Sequence, residues 1–223
     1  MLASPVLVGV LHAGVTWVHL PLTLFWFVGY FAFHATSVWL KSGRRARHRP
    51  PVLAYGTAAA VTGAVVAGVD PGLIRWAPLF VVPLGVGLVA ASARRERELL
   101  AGLTTTVGST LMAVVAADAG VDPDLPTAWV LAAVQAAYFC GTVFYVKSAI
   151  RERGNARFLA CSVAFHAAAT IAMVWVSWGL VVVFAMLTVR AGVVPPRRPT
   201  PKALGIGEVI ATVVVAVTSL LTV

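Results

Sequence analysis

Long uncharged apolar runs, broken by short stretches rich in Arg, Lys, Pro and Asp, repeat along the whole 223-residue chain. The runs cover 1–17, 22–40, 52–69, 74–93, 99–119, 127–146, 158–174, 178–189 and 205–223. Most approach the ~20 residues that cross ~30 Å of hydrocarbon as a helix. Residues 158–189 hold neither charge nor proline. As one helix they would extend ~48 Å at about 1.5 Å per residue, so two spans turning near Trp175–Gly179 are expected. The pattern predicts an all-α, polytopic membrane protein of about nine transmembrane helices in a single domain, 1–223. Polarity does not alternate along the runs, which excludes an outer-membrane barrel. The first run begins at residue 1 with no flanking charge and reads as clipped. Tight turns are expected at Val18–Pro21, at Asp70-Pro71-Gly72 and at Val121–Pro126. Pro50 and Pro51 are expected to stop any helix there. In the third run Gly56, Gly63 and Gly68, with Ala59, have the spacing that lets helices approach closely.

Charge tests the span count. Of the 17 Lys and Arg residues, every one except Arg75 falls in the loops after the second, fourth, sixth and eighth runs. Asp70, Asp118, Asp122 and Asp124 lie on the other side. Membrane loops rich in Lys and Arg stay in the cytoplasm, so the N-terminus is expected inside and the C-terminus outside, in a cytoplasmic membrane crossed many times. Trp17, Trp76, Trp129, Trp175 and Trp178 fall near the outer ends and Trp39 near an inner end, as interface anchors do. The same bias accounts for the net charge of +9, so nucleic acid is not an expected partner. Only 11% of residues are charged, against roughly 25% in soluble domains, which leaves the bilayer as the main surroundings. Cys140 and Cys161 fall within apolar runs and read as small buried hydrophobes.

Two groups of residues are candidates for chemistry. The first is the cytoplasmic basic face: Lys41, Arg44, Arg45, Arg47 and Arg49, with Arg94 and Arg95, then Lys147, Arg151, Arg153 and Asn155. Such loops orient the chain and attract anionic lipids, and Arg grips phosphate with a planar fork. Convergence of these loops would make a pocket for an anionic headgroup, with Glu96, Glu98 and Glu152 available to pair with neighbouring arginines. The second group is His12, His34, His166 and Glu208, ionisable groups inside runs, which are costly in lipid and functional candidates by default. Glu208 is near enough to the cytoplasmic end to pair with Lys202. No GxSxG, HExxH, CxxC or P-loop lysine is present, no metal site is implied, and no cofactor is expected.

The run GYFAFHATSVWLKSGRRARHRPPVLAYG, then RRERELLAGL, then GTVFYVKSAIRERGNARF, resembles the YwiC-like family of bacterial membrane proteins, over nearly the whole chain. Family members begin with a short His-Gly-Ala-Trp-type motif ahead of the first span. The resemblance therefore implies that this chain starts late and lacks that motif. It carries no activity with it. The family's layout is similar to that of UbiA-type intramembrane prenyltransferases, whose Asp-rich motifs are replaced here by Arg44–Arg49 and Arg151–Asn155. Three functions follow as expectations: a membrane protein whose basic face holds anionic lipid or isoprenoid-phosphate headgroups, a divergent intramembrane transferase, or a small-solute or proton-coupled transporter. The sequence sets no oligomeric state.

Overall fold

The computed structural model describes residues 1–95 and 98–223; Glu96 and Arg97, counted above in the second charged loop, lie outside the described residues. Among those described there are ten α-helices joined by turns and short 3-10 segments, and no strands. The helices are α1 (Ser4–Ala13), α2 (His19–Lys41), α3 (Arg49–Val69), α4 (Ala77–Ser92), α5 (Leu99–Thr110), α6 (Met112–Asp118), α7 (Leu125–Ile150), α8 (Ala156–Ala172), α9 (Trp178–Val193) and α10 (Pro201–Thr222). The helices α5 and α6 meet at Leu111 and form one apolar segment. Among the described residues eight such segments are long and apolar enough to cross a bilayer, which makes this a multi-pass membrane protein.

Three boundaries differ from the hydrophobic pattern, each for a local reason. The first run ends as a helix at Ala13, because Gly14 takes a φ of 82° that L side chains avoid. At about 1.5 Å per residue, α1 reaches only ~15 Å, half a bilayer. Pro50 and Pro51 start α3 and do not stop a helix: they occupy its first turn, where no N–H is needed for the helical ladder. The turn expected at Val18–Pro21 is already α2, with Pro21 again in a first turn.

The chain forms two compact units, Met1–Ala128 and Trp129–Val223. In the first, α2 packs along α3 and against α4, α4 along α5, and α1 along α6. Val6, Leu22, Val66, Leu73, Met112 and Val115 build its core. Small residues decide the closest approaches. A Cβ on Gly9 would stand 2.2 Å from the Ala113 carbonyl oxygen, one on Gly120 would stand 2.4 Å from Ala13 Cβ, and one on Gly108 would stand 2.5 Å from Pro83. In α3, by contrast, a Cβ on Gly56 or Gly68 meets nothing within 4 Å, and one on Gly63 meets only the Phe25 ring. In the second unit α8 packs along α9 and α9 along α10, around Val134, Tyr138, Phe139, Met173, Leu180, Phe184 and Val215.

The acidic turn before α7 has a defined role. Asp124 accepts hydrogen bonds from the Thr127 backbone N–H (3.2 Å) and hydroxyl (2.6 Å), the arrangement that satisfies a free donor at a helix start. Those two bonds favour the ionised form and hold the Asp124 carboxyl below the usual carboxylate range. A lowered pKa contributes stability that is present above the unfolded-state value, about 3.9, and is lost as pH falls through the folded-state value. In detergent, wild-type unfolding temperature should therefore drop more steeply below about pH 4 than that of Asp124→Ala. Parallel acid titrations of the two proteins would remove Asp124 from this role.

Candidate functional site

The basic face is built by helix ends. At the end of α2, Gly43 and Arg44 take φ of 76° and 61°, and the Arg44 N–H returns to the Trp39 carbonyl at 2.9 Å. At the end of α4, Arg94 takes a φ of 59° and the Arg95 N–H returns to the Ala90 carbonyl at 2.7 Å. Both are left-handed caps: at α2 Gly43 fills the position that favours glycine, with Arg44 left-handed after it, and at α4 Arg94 fills it. Arg94 Nε then donates to the Lys41 carbonyl at 3.2 Å, closing the end of α2 and bringing the first and second basic loops together in the first unit. Cations near helix C-termini are favoured by the exposed carbonyls there.

The candidate arginines are not equivalent. Arg95 pairs with Glu98, and Arg44 lies over the Trp39 ring at 6.0 Å. Arg47 Nε donates to His48 Nε2 at 3.1 Å. Arg44, Arg45, Arg47 and Arg49 are exposed and pair with no carboxylate among the described residues. In the second unit, Arg153 Nε donates to the Ala149 carbonyl at 3.0 Å, closing the end of α7. Asn155 accepts from the Phe158 N–H at 3.1 Å, starting α8, and donates to Glu152 at 3.0 Å. Lys147 Nζ sits 5.7 Å from the centre of the Phe158 ring, and Arg151 is exposed. Among the described residues of the first unit, exposed arginines without a carboxylate partner cluster at 44–49.

The first unit also contains a cavity of about 790 Å³ between α2, α3, α4, α5 and α6. Phe25, Trp26, Phe33, Phe80, Leu84 and Met112 give it an apolar wall, and Thr105, Ser109 and Tyr30 are among the few polar side chains that line it. Trp26 holds one side by donating to the Leu2 carbonyl at 2.9 Å. Below it, Asp118 accepts from Trp76 Nε1 at 2.8 Å and pairs with Arg75, fastening the segment before α4 to α6. Phe33 lies on the order of 12 Å along α2 from Lys41, at about 1.5 Å per residue, so the cavity wall and the basic loop share one helix.

The ionisable groups inside the spans separate. His12 lies 3.4 Å from the Asp124 carbonyl at the end of α1. His34 is exposed on α2 and stacks on Tyr30 with centroids 6.4 Å apart. His166 is buried on α8, with Nδ1 2.7 Å from the Ser162 carbonyl and its ring against Gly141. Among the described residues no three His, Cys, Asp or Glu side chains group as metal ligands do. Glu208 pairs with Arg190 (2.7 Å), not with Lys202. Its other carboxylate oxygen accepts from Thr142 (2.7 Å) and Tyr138 (3.1 Å), and Arg190 stacks over Tyr145 at 4.3 Å.

Two residues that matter here were missed by sequence reasoning. Arg190 was counted as a loop cation, yet it sits in the last turn of α9, four-fifths buried. His19, placed in a turn, is buried and fastens α2 to α6. Its Nδ1 accepts from the Thr16 N–H at 2.9 Å, which assigns the ring proton to Nε2, 2.8 Å from the Ala116 carbonyl. The only signal for it was a proline two residues on, in the position of a first helical turn.

No solved structure matches this chain. It is 30% identical to an uncharacterized protein of Haemophilus influenzae, across 96% of this chain and 90% of that one. It is 28% identical to the uncharacterized protein YwiC of Bacillus subtilis, across 74% of this chain and 70% of that one. The family model described as YwiC-like protein matches residues 1–117, the stretch that carries the cavity wall and the first two basic loops. By that match and the full-length similarity to its Haemophilus relative, the chain belongs to the YwiC-like family.

Proposed function

We propose that this protein binds an amphiphile with a long apolar chain and an anionic phosphate head, an anionic lipid or an isoprenoid phosphate. The head would sit at Arg44, Arg45, Arg47 and Arg49, and the chain would enter the cavity of the first unit. One observation carries the reading. An apolar cavity is lined by α2 and α3, and a cluster of arginines without carboxylate partners sits in the connection between those two helices and at the start of α3. A cavity of this volume falls within the range that ordinary small ligands fill, and its wall offers almost nothing to a polar one. Arginine suits phosphate because its fork donates two parallel hydrogen bonds. The loops would face the cytoplasm, with the N-terminus inside and the C-terminus outside, in the cytoplasmic membrane of a bacterium. That leaflet is the one rich in negative headgroups.

The test is binding of a prenyl phosphate, phosphatidic acid and inorganic phosphate to purified protein in neutral detergent, with and without two substitutions. Arg45→Gln with Arg47→Gln removes two surface cations at about 1 kcal/mol each, so roughly 30-fold of affinity for either amphiphile should go. Gly29→Leu narrows the cavity where an added Cβ meets nothing within 4 Å, so the fold is kept. It should weaken the long-chain ligands and leave inorganic phosphate unchanged. A preference for prenyl phosphate over phosphatidic acid names the isoprenoid as the ligand, and the reverse names the lipid. Affinity indifferent to both substitutions overturns the reading.

A further inference from the structure

The second unit holds a charged site that the basic loops do not explain. Arg190 of α9 has five N–H donors. Of these, Nη2 faces Glu208 Oε1 at 2.7 Å, while Nε is buried with no hydrogen-bond partner among the described residues. The carboxylate does not complete the fork, because its second oxygen is held by hydroxyls of another helix: Thr142 at 2.7 Å and Tyr138 at 3.1 Å, both on α7. The single Tyr138 proton is shared between Glu208 Oε2 and the Glu208 carbonyl (3.0 Å), and its oxygen lies 3.0 Å from Thr212 Oγ1, so the hydroxyl is fixed against α10. The guanidinium carbon lies over the Tyr145 ring, 4.3 Å from its centre. Glu208 Oε1, despite its closeness to Nη2, also makes no aligned hydrogen bond. An arginine and a carboxylate free to choose form two parallel bonds. Here the frame of α7 and α10 prevents it.

We propose that Arg190 is an anion-binding group for a small oxyanion, a carboxylate or a phosphate, and that Glu208 is the built-in counter-ion the anion displaces. The fork offers Nε and its unfilled donors to two oxygens of the incoming group, and Tyr145 supplies the platform beneath. Glu208 keeps its hydroxyl partners when Arg190 turns to the ligand, so the carboxylate stays hydrogen-bonded, and the incoming anion must outweigh the loss of its cation. Arg190 retains one-fifth of its side-chain surface, which gives an anion a way in. The ionisable groups around it are Tyr138 and Tyr145 from α7, His166 from α8 and Glu208 from α10.

The readout is the Arg190 Nε–H resonance of purified protein labelled with nitrogen-15 arginine, assigned by its disappearance in Arg190→Lys. Titration with acetate and with inorganic phosphate at constant ionic strength should shift that resonance and saturate. Glu208→Gln removes the competing charge while keeping an oxygen for Thr142 and Tyr138, and should tighten both ligands at least tenfold. The first-unit pair Arg45→Gln/Arg47→Gln should leave the titration unchanged, which separates this site from the headgroup reading. A resonance that neither anion moves, in the wild type and in Glu208→Gln alike, overturns the proposal and leaves an ion pair that only fastens α9 to α10. Equal affinity before and after Glu208→Gln overturns the role of Glu208 as competitor.

Discussion

Gly9→Ala should destabilise the first unit by about 2–3 kcal/mol, the cost typical of forcing extra atoms into a filled interface. The added carbon would stand 2.2 Å from the Ala113 carbonyl oxygen and 2.9 Å from Ala116 Cβ. Neither obstacle is the end of a flexible side chain. The α1 backbone must move away from α6, and the contacts of Val6 and Val8, each almost fully buried, move with it. In a bilayer that contact is the main source of attraction, because lipid tails are as apolar as the helix and expel nothing. The control is Gly56→Ala in the middle of α3, where the added carbon meets nothing within 4 Å. It should be neutral or stabilising by up to about 1 kcal/mol, since alanine restricts the unfolded chain more than glycine does. Unfolding in mixed detergent and denaturant reads both. Equal effects at the two positions would mean that backbone freedom and not the α1–α6 approach decides them.

The same pair shows what could be read from the sequence. The all-helical membrane architecture was legible because a bilayer imposes a length and an absence of charge, and both are properties of the chain alone. The glycine contacts were not. Gly56, Gly63 and Gly68 have the small-residue spacing of a close interface, but two of them meet no neighbour, while Gly9, Gly108 and Gly120 do. Spacing marks which helices are able to approach, and the partner decides which of them do. The proline reading failed for a related reason: Pro50 and Pro51 interrupt a helix only when they stand past its first turn, and α3 begins at Arg49. Of the candidate site, the arginines at 44–49 were legible as charge, but not the structural roles of Arg94, Arg153 and Asn155, which close or start helices. Those roles depend on where each helix ends, the least legible feature of an apolar run. His19 and Arg190 stand at such ends as well; His19 takes its partner from α6, far along the chain, and Arg190 takes its partner from the helix that follows, α10.

Arg190→Leu should cost the second unit about 3 kcal/mol, at the lower edge of the loss seen when one partner of a buried ion pair is removed. The remaining carboxylate, Glu208, keeps the Thr142 and Tyr138 hydroxyls but loses its only cation among the described residues. It lies in the second turn of α10 with one-sixth of its side chain exposed, too deep to reach headgroups by bending a short stem. Glu208→Leu is milder, because the stranded Arg190 has a long stem in the last turn of α9 and turns toward the surface. The two changes together should cost less than Arg190→Leu alone, since two leucines in lipid strand nothing. A double-mutant cycle on unfolding free energies therefore gives a coupling of about 2 kcal/mol or more between these residues. A sum of single effects equal to the double effect would show that the pair does not hold α9 and α10 together. Its geometry would then serve ligand binding alone, with the anion titration of the Arg190 Nε–H as the remaining measure of what the site does.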